Sequence, residues 1–484
     1  MRVAGIVAVL VSTALGSFHD TQHRKVSSDG FQPPYLNDKT KGFVVNGNAI
    51  PEVDFDVGES YAGNLPNSPS GNSSLFFWFF PTSNPDASDE ITIWLNGGPG
   101  CSSLAGFLRE NGPFLWQPGT PKPYANPYSW TNLTNMVWVD QPAGTGFSPG
   151  PSTVRNEDDV ARQFLDFWRN FVEAFQLQGR KVYLTGESYA GMYIPYIASH
   201  MLDEDDKMFF DVAGAMIYAP FINAPEALHD APALGALRQY HSVIPLNESF
   251  MDELSERTDR CGYTKLMTDG LVYPPTTQLP TPRSSDDPSC RIWVSSMYAA
   301  TEVNPCFNAY HLTNYCPFTM DVMNPLAPVD GHHHHYFNRS DVRAAINAPD
   351  MGFSLCSGEM IFQGNGGGGD PSARPNLELL PRVIEQTNNT ILSHGWLDYQ
   401  ILANGTLLTI QNMTWNSAQG FQSAPTERLF VPRHLSPVYP GNFHAPFRAT
   451  AGSGNLGTAH TERGLTFSSV DLAGHGEFIE YARK

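Results

Sequence analysis

Short apolar runs alternate with longer helical patterns between about residues 51 and 219. Residues 91–95, 136–139 and 181–185 have the length and the content of β-branched and aromatic side chains typical of buried strands. Between the second and third runs, apolar residues recur at helical spacing from Val160 to Phe175, with acidic residues favourably placed before them. The order strand, helix, strand predicts a parallel sheet covered by helices.

Residues 221–341 differ from the rest of the chain. They are rich in proline, hold four of the six cysteines and lack regular periodicity, which predicts a disulfide-braced insertion, the cap, over one edge of the sheet. The sheet pattern then resumes at residues 389–392 and 464–467. The predicted organisation is a signal peptide (1–16), a first core part (17–220), the cap (221–341) and a second core part (342–484).

The N-terminus predicts export. Met1 and Arg2 precede an apolar stretch from Val3 to Leu15 that is too short to span a bilayer, and small residues surround Gly16. No later segment has about 18 uninterrupted apolar residues, so no other membrane crossing is expected. The expected location is extracellular, or alternatively vacuolar. Predicted N-glycosylation sites are Asn72, Asn132, Asn247, Asn338, Asn388, Asn404 and Asn412.

Charge and motif content exclude several classes of partner. The formal net charge of −19 repels phosphate backbones and anionic lipids, so neither nucleic acid nor a membrane is expected. No cysteine pair has zinc-site spacing, the run His332 to His335 is interpreted as an exposed loop, and the glycines at 366–369 lack the Lys-Ser/Thr of a phosphate cradle. No metal or cofactor is expected, and the sequence does not indicate an oligomeric state.

A candidate nucleophile follows the third predicted strand. Ser188 lies between Gly186 and Ala190, small residues that allow a tight turn, and a helical pattern begins after it. A serine in such a pattern is often only a turn residue, but the strand–turn–helix context favours a nucleophile elbow. A glycine-rich turn after an earlier strand, residues 94–103, is either a tight loop or a source of backbone N–H groups for an oxyanion.

Several motifs together resemble those of the serine carboxypeptidase family of α/β-hydrolases. The resemblance extends from about residue 51 to His475, and it implies an α/β-hydrolase fold with a mostly parallel central sheet, helices on both faces and a cap insertion. The matching segments are WLNGGPGCSS (94–103), RENGPF (109–114), VDQPAGTGFS (139–148), GESYAGMYIP (186–195), YFNRSDVRAAINA (336–348), the region around Asp398, and AGH (473–475).

The resemblance implies a serine hydrolase site. Ser188 corresponds to the nucleophile, Asp398 to the acid and His475 to the base, and the backbone N–H groups of Gly98 and Tyr189 correspond to the oxyanion hole. Spacing alone does not select His475 among the histidines, of which His394, His434 and His444 are rivals. The implied activity is hydrolysis of the C-terminal peptide bond of peptides and proteins through an acyl-enzyme.

The resemblance also implies how a free C-terminus is recognised. Asn96, the Gly97 N–H, Glu110 and Glu187 correspond to the family's binding site for the substrate α-carboxylate. Carboxyl groups in close contact retain a shared proton, and a protonated glutamate can donate a hydrogen bond to a carboxylate. We therefore expect activity at acidic pH and a peptide KM that rises towards neutrality.

Cysteine pairing is the next expectation. Cys101, beside the glycine turn, is expected to pair with Cys356. The residues alone allow the other four cysteines to pair in three ways. The resemblance suggests the nested scheme Cys261–Cys316 with Cys290–Cys306.

The end of the chain departs from the family pattern. After His475 the family continues with Val/Ile-Pro and a helix, whereas this chain reads GEFIEYARK. Two alternatives follow: an esterase or acyltransferase on the same triad, or an inactive secreted binding protein whose triad is misaligned by the atypical end. The presence of Asn96, Glu110 and Glu187 together argues against the esterase alternative.

Overall fold

The structure is a computed structural model that describes residues 33–118, 120–276, 279, 286–314, 322–323, 335–357, 361–363, 369–432 and 453–476. The predicted signal peptide, Cys316, His434, His444 and residues 332–334 lie outside the described residues.

One large sheet forms the centre of the described part of the chain, with eleven strands in the order β1-β2-β3-β5-β4-β6-β7-β8-β11-β10-β9. The strands are β1 (Val44–Val45), β2 (Ser60–Pro66), β3 (Ser74–Phe80), β4 (Glu90–Leu95), β5 (Asn135–Asp140), β6 (Lys181–Glu187), β7 (Asp211–Tyr218), β8 (Thr390–Gly395), β9 (Glu427–Val431), β10 (Gly454–Glu462) and β11 (Leu465–Val470). Two short antiparallel pairs, Phe114–Leu115 with Tyr124–Ala125 and Thr414–Trp415 with Ala418–Gln419, lie apart from it.

The middle of the sheet is parallel, as the sequence predicts. Strands β5, β4, β6, β7, β8 and β11 pair in parallel, and the pairings outside them are antiparallel. Each of the five predicted strand segments lies within or overlaps one of the parallel strands. Because parallel strands end at the same edge, the loops after β4, β6 and β8 meet at their carboxyl ends.

Helices connect and cover these strands. They are α1 (Glu157–Phe175), α2 (Ala190–Asp203), α3 (Ala231–Gln239), α4 (Glu248–Arg260), α5 (Tyr263–Gly270), α6 (Ile292–Val303), α7 (Ser340–Ala345), α8 (Leu379–Thr387) and α9 (Ala403–Asn412). Single helical or 3-10 and π turns occupy Lys41–Phe43, Pro85–Ala87, Leu104–Gly106, Phe107–Asn111, Trp130–Asn132, Glu226–Asp230, Pro288–Cys290, Tyr336–Asn338 and Pro375–Leu377.

Strand β3 shows how both faces of the sheet become buried. Its residues are almost continuously apolar, and alternate side chains point to opposite faces. Phe77 and Phe79 lie in one apolar layer with α1, α2 and α8, and Phe77 meets Phe171 of α1 edge to face at 5.3 Å. Trp78 lies in the opposite layer with Phe107 and one residue of α7. Helices therefore cover both faces, as an α/β-hydrolase requires.

The cap is more regular than the sequence suggests. Helices α3 to α6 form a third apolar cluster that also includes Leu397 and Tyr399. The helices differ in how much of their surface they bury, so no single apolar period extends through the cap. Helix α4, for example, buries only Leu254 and Thr258.

Disulfide pairing corrects one expectation and confirms another. Cys101 pairs with Cys356, as predicted. Cys261 pairs with Cys290, so the nested scheme Cys261–Cys316 with Cys290–Cys306 is wrong. The end of α4 at Arg260 meets the turn Pro288–Cys290 before α6, which places the two Cα atoms 5.7 Å apart. Cys306 is also disulfide-bonded.

The described residues contain neither a membrane-spanning helix nor a metal-binding cluster. None of their helices is long and apolar enough to cross a membrane. They also hold no group of three or more His, Cys, Asp or Glu side chains arranged to bind a metal ion.

Candidate active site

Ser188 occupies a sharp turn between β6 and α2. Its φ is +61°, in the left-handed region that costs a non-glycine residue on the order of 1–3 kcal/mol. The surrounding backbone holds this conformation: the Ser188 N–H donates to the Tyr218 carbonyl at 2.9 Å, and the Phe221 N–H donates to the Ser188 carbonyl at 2.9 Å. Gly186 is required because a Cβ there would lie 2.1 Å from the Leu95 carbonyl oxygen. This strained strand–turn–helix backbone has the geometry of a nucleophile elbow.

The glycine-rich turn after β4 packs directly against this elbow. A Cβ on Gly97 would lie 2.4 Å from the Tyr189 backbone nitrogen and 2.9 Å from the Ser188 Cβ, so only glycine fits. The Cys101 N–H donates to the Gly97 carbonyl at 3.1 Å, and the Gly100 N–H donates to the Tyr193 hydroxyl at 3.1 Å. The backbone near Gly98 is therefore held beside the Ser188–Tyr189 peptide.

His475 and Asp398 form a buried pair. The His475 Nδ1 donates to the Asp398 Oδ2 at 2.8 Å, and the Asp398 Oδ1 accepts from the N–H groups of Gln400 at 2.7 Å and Ile401 at 3.0 Å. Burial by itself would lower the pKa of His475, but the charge of Asp398, aided by that of Glu187, raises it above its ordinary value. The His475 Nε2 is buried and makes no hydrogen bond within the described residues.

The structure separates His475 from one of its rivals. His394 is fully buried, its Nε2 lies 2.8 Å from the Thr406 hydroxyl, and burial lowers its pKa to about 3. His475, by contrast, is close enough to Glu187, the neighbour of Ser188, for the charge of each to change the pKa of the other. The predicted triad residues are thus gathered at one edge of the sheet.

The predicted carboxylate-binding residues also lie together. The Asn96 Oδ1 accepts from the Trp94 indole N–H at 2.9 Å and the Gly106 N–H at 3.0 Å, which turns the Asn96 Nδ2 towards the Glu187 Oε1 at 2.6 Å. Glu110 is buried and hydrogen-bonds Glu187. Burial raises the pKa of Glu187, against the opposing effects of His475, Glu110 and Asn96.

Residues 309–312 of the cap, which no sequence motif identifies, form backbone hydrogen bonds with the loops that carry Asp398 and His475. The Tyr399 N–H donates to the Ala309 carbonyl at 2.7 Å, and the Leu312 N–H donates to the Leu397 carbonyl at 3.0 Å. The His475 N–H donates to the Tyr310 carbonyl at 2.7 Å, and the Tyr310 ring meets the imidazole edge to face at 5.1 Å. No motif identifies Tyr310 among the tyrosines, because its role depends on backbone contacts.

His229, which no sequence motif identifies, lies close enough to His475 for the imidazolium charge to affect it. His229 stacks on Trp293 at 4.8 Å, and burial together with the His475 charge lowers the pKa of His229 to about 4. It is therefore neutral over the range in which His475 titrates.

The sequons divide into two groups by exposure. Asn72, Asn132, Asn247 and Asn388 are exposed, whereas Asn338, Asn404 and Asn412 are half-buried. Both ends of the Asn338 amide are occupied: its Nδ2 donates to the Phe353 carbonyl at 2.9 Å, and its Oδ1 accepts from the Phe353 N–H at 2.6 Å.

The parallel sheet, the nucleophile elbow after β6 and the buried histidine–aspartate pair define an α/β-hydrolase. A family model described as serine carboxypeptidase matches residues 51–478. The chain is 50% identical over 469 residues to a carboxypeptidase Y homolog of Arthroderma benhamiae, covering 97% of this chain and 90% of that protein. It is 42% identical over 464 residues to serine-type carboxypeptidase F of Aspergillus niger, covering 93% and 86%.

A solved structure agrees with the fold. KEX1(Δ)P, a prohormone-processing carboxypeptidase from Saccharomyces cerevisiae, aligns with a TM-score of 0.68 and 23% identity, covering 92% of this chain and 94% of that one. The chain belongs to the serine carboxypeptidase family. It is a serine-type carboxypeptidase, for which peptides are the substrates.

Proposed function

We propose that Ser188, His475 and Asp398 are the catalytic triad. His475 Nε2 takes the Ser188 proton as the hydroxyl attacks the C-terminal peptide carbonyl, and Asp398 stabilises the imidazolium that forms. The raised pKa of His475 supports this, because the pair favours the protonated state that the attack generates. The C-terminal amino acid leaves after accepting that proton, and water then hydrolyses the acyl-enzyme.

The oxyanion is bound by the backbone N–H groups of Gly98 and Tyr189. The close packing of Gly97 against the Tyr189 nitrogen supports this role, since it brings the two peptides together without side chains between them. Each donor contributes about 3 kcal/mol to transition-state stabilisation in comparable sites.

Recognition of the free C-terminus rests on Asn96, Gly97, Glu110 and Glu187, and the contact between Asn96 and Glu187 beside Ser188 is the observation that carries it. Glu187 retains a proton at acidic pH because burial raises its pKa, so the carboxyl group can donate a hydrogen bond to the substrate carboxylate. Substrate binding is strongest while that proton is present, which makes the enzyme acid-active. Its location is extracellular or vacuolar, where such pH values occur.

The test compares a blocked dipeptide with the same dipeptide amidated at its C-terminus, at mildly acidic pH. Release of amino acid from the free acid alone, abolished in Ser188→Ala and unchanged in the exposed control Ser70→Ala, is expected. Equal turnover of both substrates, or turnover of esters alone, would contradict carboxylate recognition. No turnover by folded protein would contradict the triad assignment.

A further inference from the structure

Glu157 is a buried acid that the mechanism above does not use. It is the first residue of α1, it is 0% exposed, both of its carboxyl oxygens are buried, and the Tyr189 hydroxyl lies beside them. Its backbone N–H donates to the Ser372 hydroxyl at 2.8 Å, which ties the start of α1 to the segment 369–375. An ionised carboxylate in such a position is strongly disfavoured, so the group needs an explanation.

Glu157 lies close enough to two tyrosines beside the proposed oxyanion hole for its charge to change their pKa values. The Tyr189 hydroxyl donates to the Asp370 Oδ2 at 2.7 Å, and the Tyr193 hydroxyl accepts from the Gly100 N–H at 3.1 Å. Burial and then the charge of Glu157 raise the pKa of each of these two phenols. One phenol belongs to the residue after the nucleophile, and the other holds the glycine turn.

The charged and titratable groups around Glu157 come from four parts of the chain. Asp158 lies beside it on α1, Asp370 and Arg374 face it from the segment 369–375, and the phenols face it from the elbow and α2. Burial first and the Asp370 charge second raise the pKa of Glu157 well above its ordinary value, while Tyr189 and Arg374 oppose them. The balance keeps a proton on Glu157 at acidic pH and releases it as the pH rises.

We propose that Glu157 is a positioning residue for the oxyanion hole, whose protonated carboxyl allows Tyr189 and Tyr193 to hold the two N–H donors in place. This inference rests on the proposed function of Gly98 and Tyr189. Ionisation of Glu157 places a second negative charge next to Asp370. The Tyr189 hydroxyl is then attracted to Glu157 and away from Asp370. The Tyr189 N–H moves with the side chain, and small displacements of such donors reduce kcat strongly.

The test measures kcat against pH on an ester without a free carboxylate, so that Glu110 and Glu187 do not recognise the substrate. In the wild type, kcat falls as the pH rises through the pKa of Glu157. Glu157→Gln removes the titration, and the ratio of variant to wild-type kcat should rise by about tenfold per pH unit above that pKa. Glu173→Gln, at the exposed far end of the same helix with its side chain 53% accessible, is the matched control and should follow the wild type.

Asp370→Asn provides an independent variant should Glu157→Gln fail to fold. Removing the Asp370 charge lowers the pKa of Glu157, so kcat should begin to fall at a lower pH than in the wild type. The inference is overturned if the pH profile of kcat for Glu157→Gln superimposes on that of the wild type. It is also overturned if kcat of Asp370→Asn begins to fall at the same pH as in the wild type. A changed pH dependence of Tm with an unchanged pH profile of kcat also overturns the inference, because that result indicates that Glu157 has only a structural role. Full ester turnover by Ser188→Ala would instead overturn the proposed function itself.

Discussion

The His475 Nδ1 lies 2.8 Å from the Asp398 Oδ2, across a sequence separation of 77 residues. The other oxygen of Asp398 is held by two backbone N–H groups, so the carboxylate cannot rotate freely. This arrangement fixes the imidazole tautomer with its proton on Nδ1 and leaves Nε2 free to accept a proton.

Asp398→Asn tests that relationship. An amide in this position offers an N–H to Nδ1 and favours the wrong tautomer, so kcat on peptide should fall on the order of 10⁴-fold. The measurement is kcat at the pH optimum, with labelling of Ser188 by a fluorophosphonate as a second readout. Asp38→Asn, an exposed acid that pairs with Lys41, should leave kcat unchanged. Loss of less than tenfold in Asp398→Asn would show that Asp398 does not orient the base.

Glu187→Gln should extend ester hydrolysis to lower pH. The charge of Glu187 contributes to the raised pKa of His475, so its removal lowers that pKa. A base with a lower pKa remains unprotonated in more acidic solution, and the acid limb of the kcat/KM profile moves down. Movement of the limb to higher pH would contradict the electrostatic contact between the two residues.

Peptide KM in the wild type should rise as the pH increases from about 4 to about 7. The pKa of Glu187 is raised in the folded protein, so the protonated donor is present below that pKa and is lost above it. An ester without a free carboxylate provides the control, because its binding does not use the donor. A flat peptide KM over this range contradicts proton-dependent recognition.

Removal of the Cys101–Cys356 disulfide should be more damaging than removal of Cys261–Cys290. Loop-closure entropy gives about 5 to 6 kcal/mol for a separation of 255 residues and about 3 to 4 kcal/mol for 29. Double Cys→Ser variants of each bridge should show this order in the free energy of unfolding. The first should also lower kcat, since Cys101 and Ser357 hydrogen-bond the glycine turn. Equal kcat in the two variants would show that the Cys101–Cys356 disulfide does not support the active site.

Asn338→Gln should destabilise the protein even without glycans. Its two hydrogen bonds to Phe353 are worth about 1 kcal/mol each, so a loss of about 2 kcal/mol is expected in enzymatically deglycosylated protein. Asn72→Gln, at an exposed sequon, should leave the free energy of unfolding unchanged. Denaturant unfolding measures both, and equal stabilities would contradict the structural role of Asn338.

The sheet was predictable where the chain carries a strong period. Continuous apolar runs such as residues 91–95 belong to strands buried on both faces, and the spacing from Val160 to Phe175 belongs to the helix α1. The cap helices gave a weaker pattern because they bury very different shares of their surface, from two residues in α4 to six in α3. The Cys261–Cys290 pairing was not predictable, since it depends on how the end of α4 meets a turn 29 residues later.

The candidate site divides in the same way. Ser188 and Gly186 are marked locally, because the backbone turn itself demands small residues. Asp398, His475, Glu110 and Glu187 came only from the family resemblance. Neither local spacing nor the family resemblance identified Glu157 and Tyr310, because burial and long-range contacts distinguish these residues.

The backbone bonds from residues 309–312 to the loops of Leu397, Tyr399 and His475 limit how this enzyme can be recombined. A chimaera that receives a foreign cap must supply two carbonyls and one amide at matching positions, or its acid and base lose alignment. Crossover points within residues 304–314 should therefore yield inactive hybrids even when both parents are active. Substrate range in this lineage is thus more readily altered by exchanging side chains on an intact insert than by replacing the insert whole.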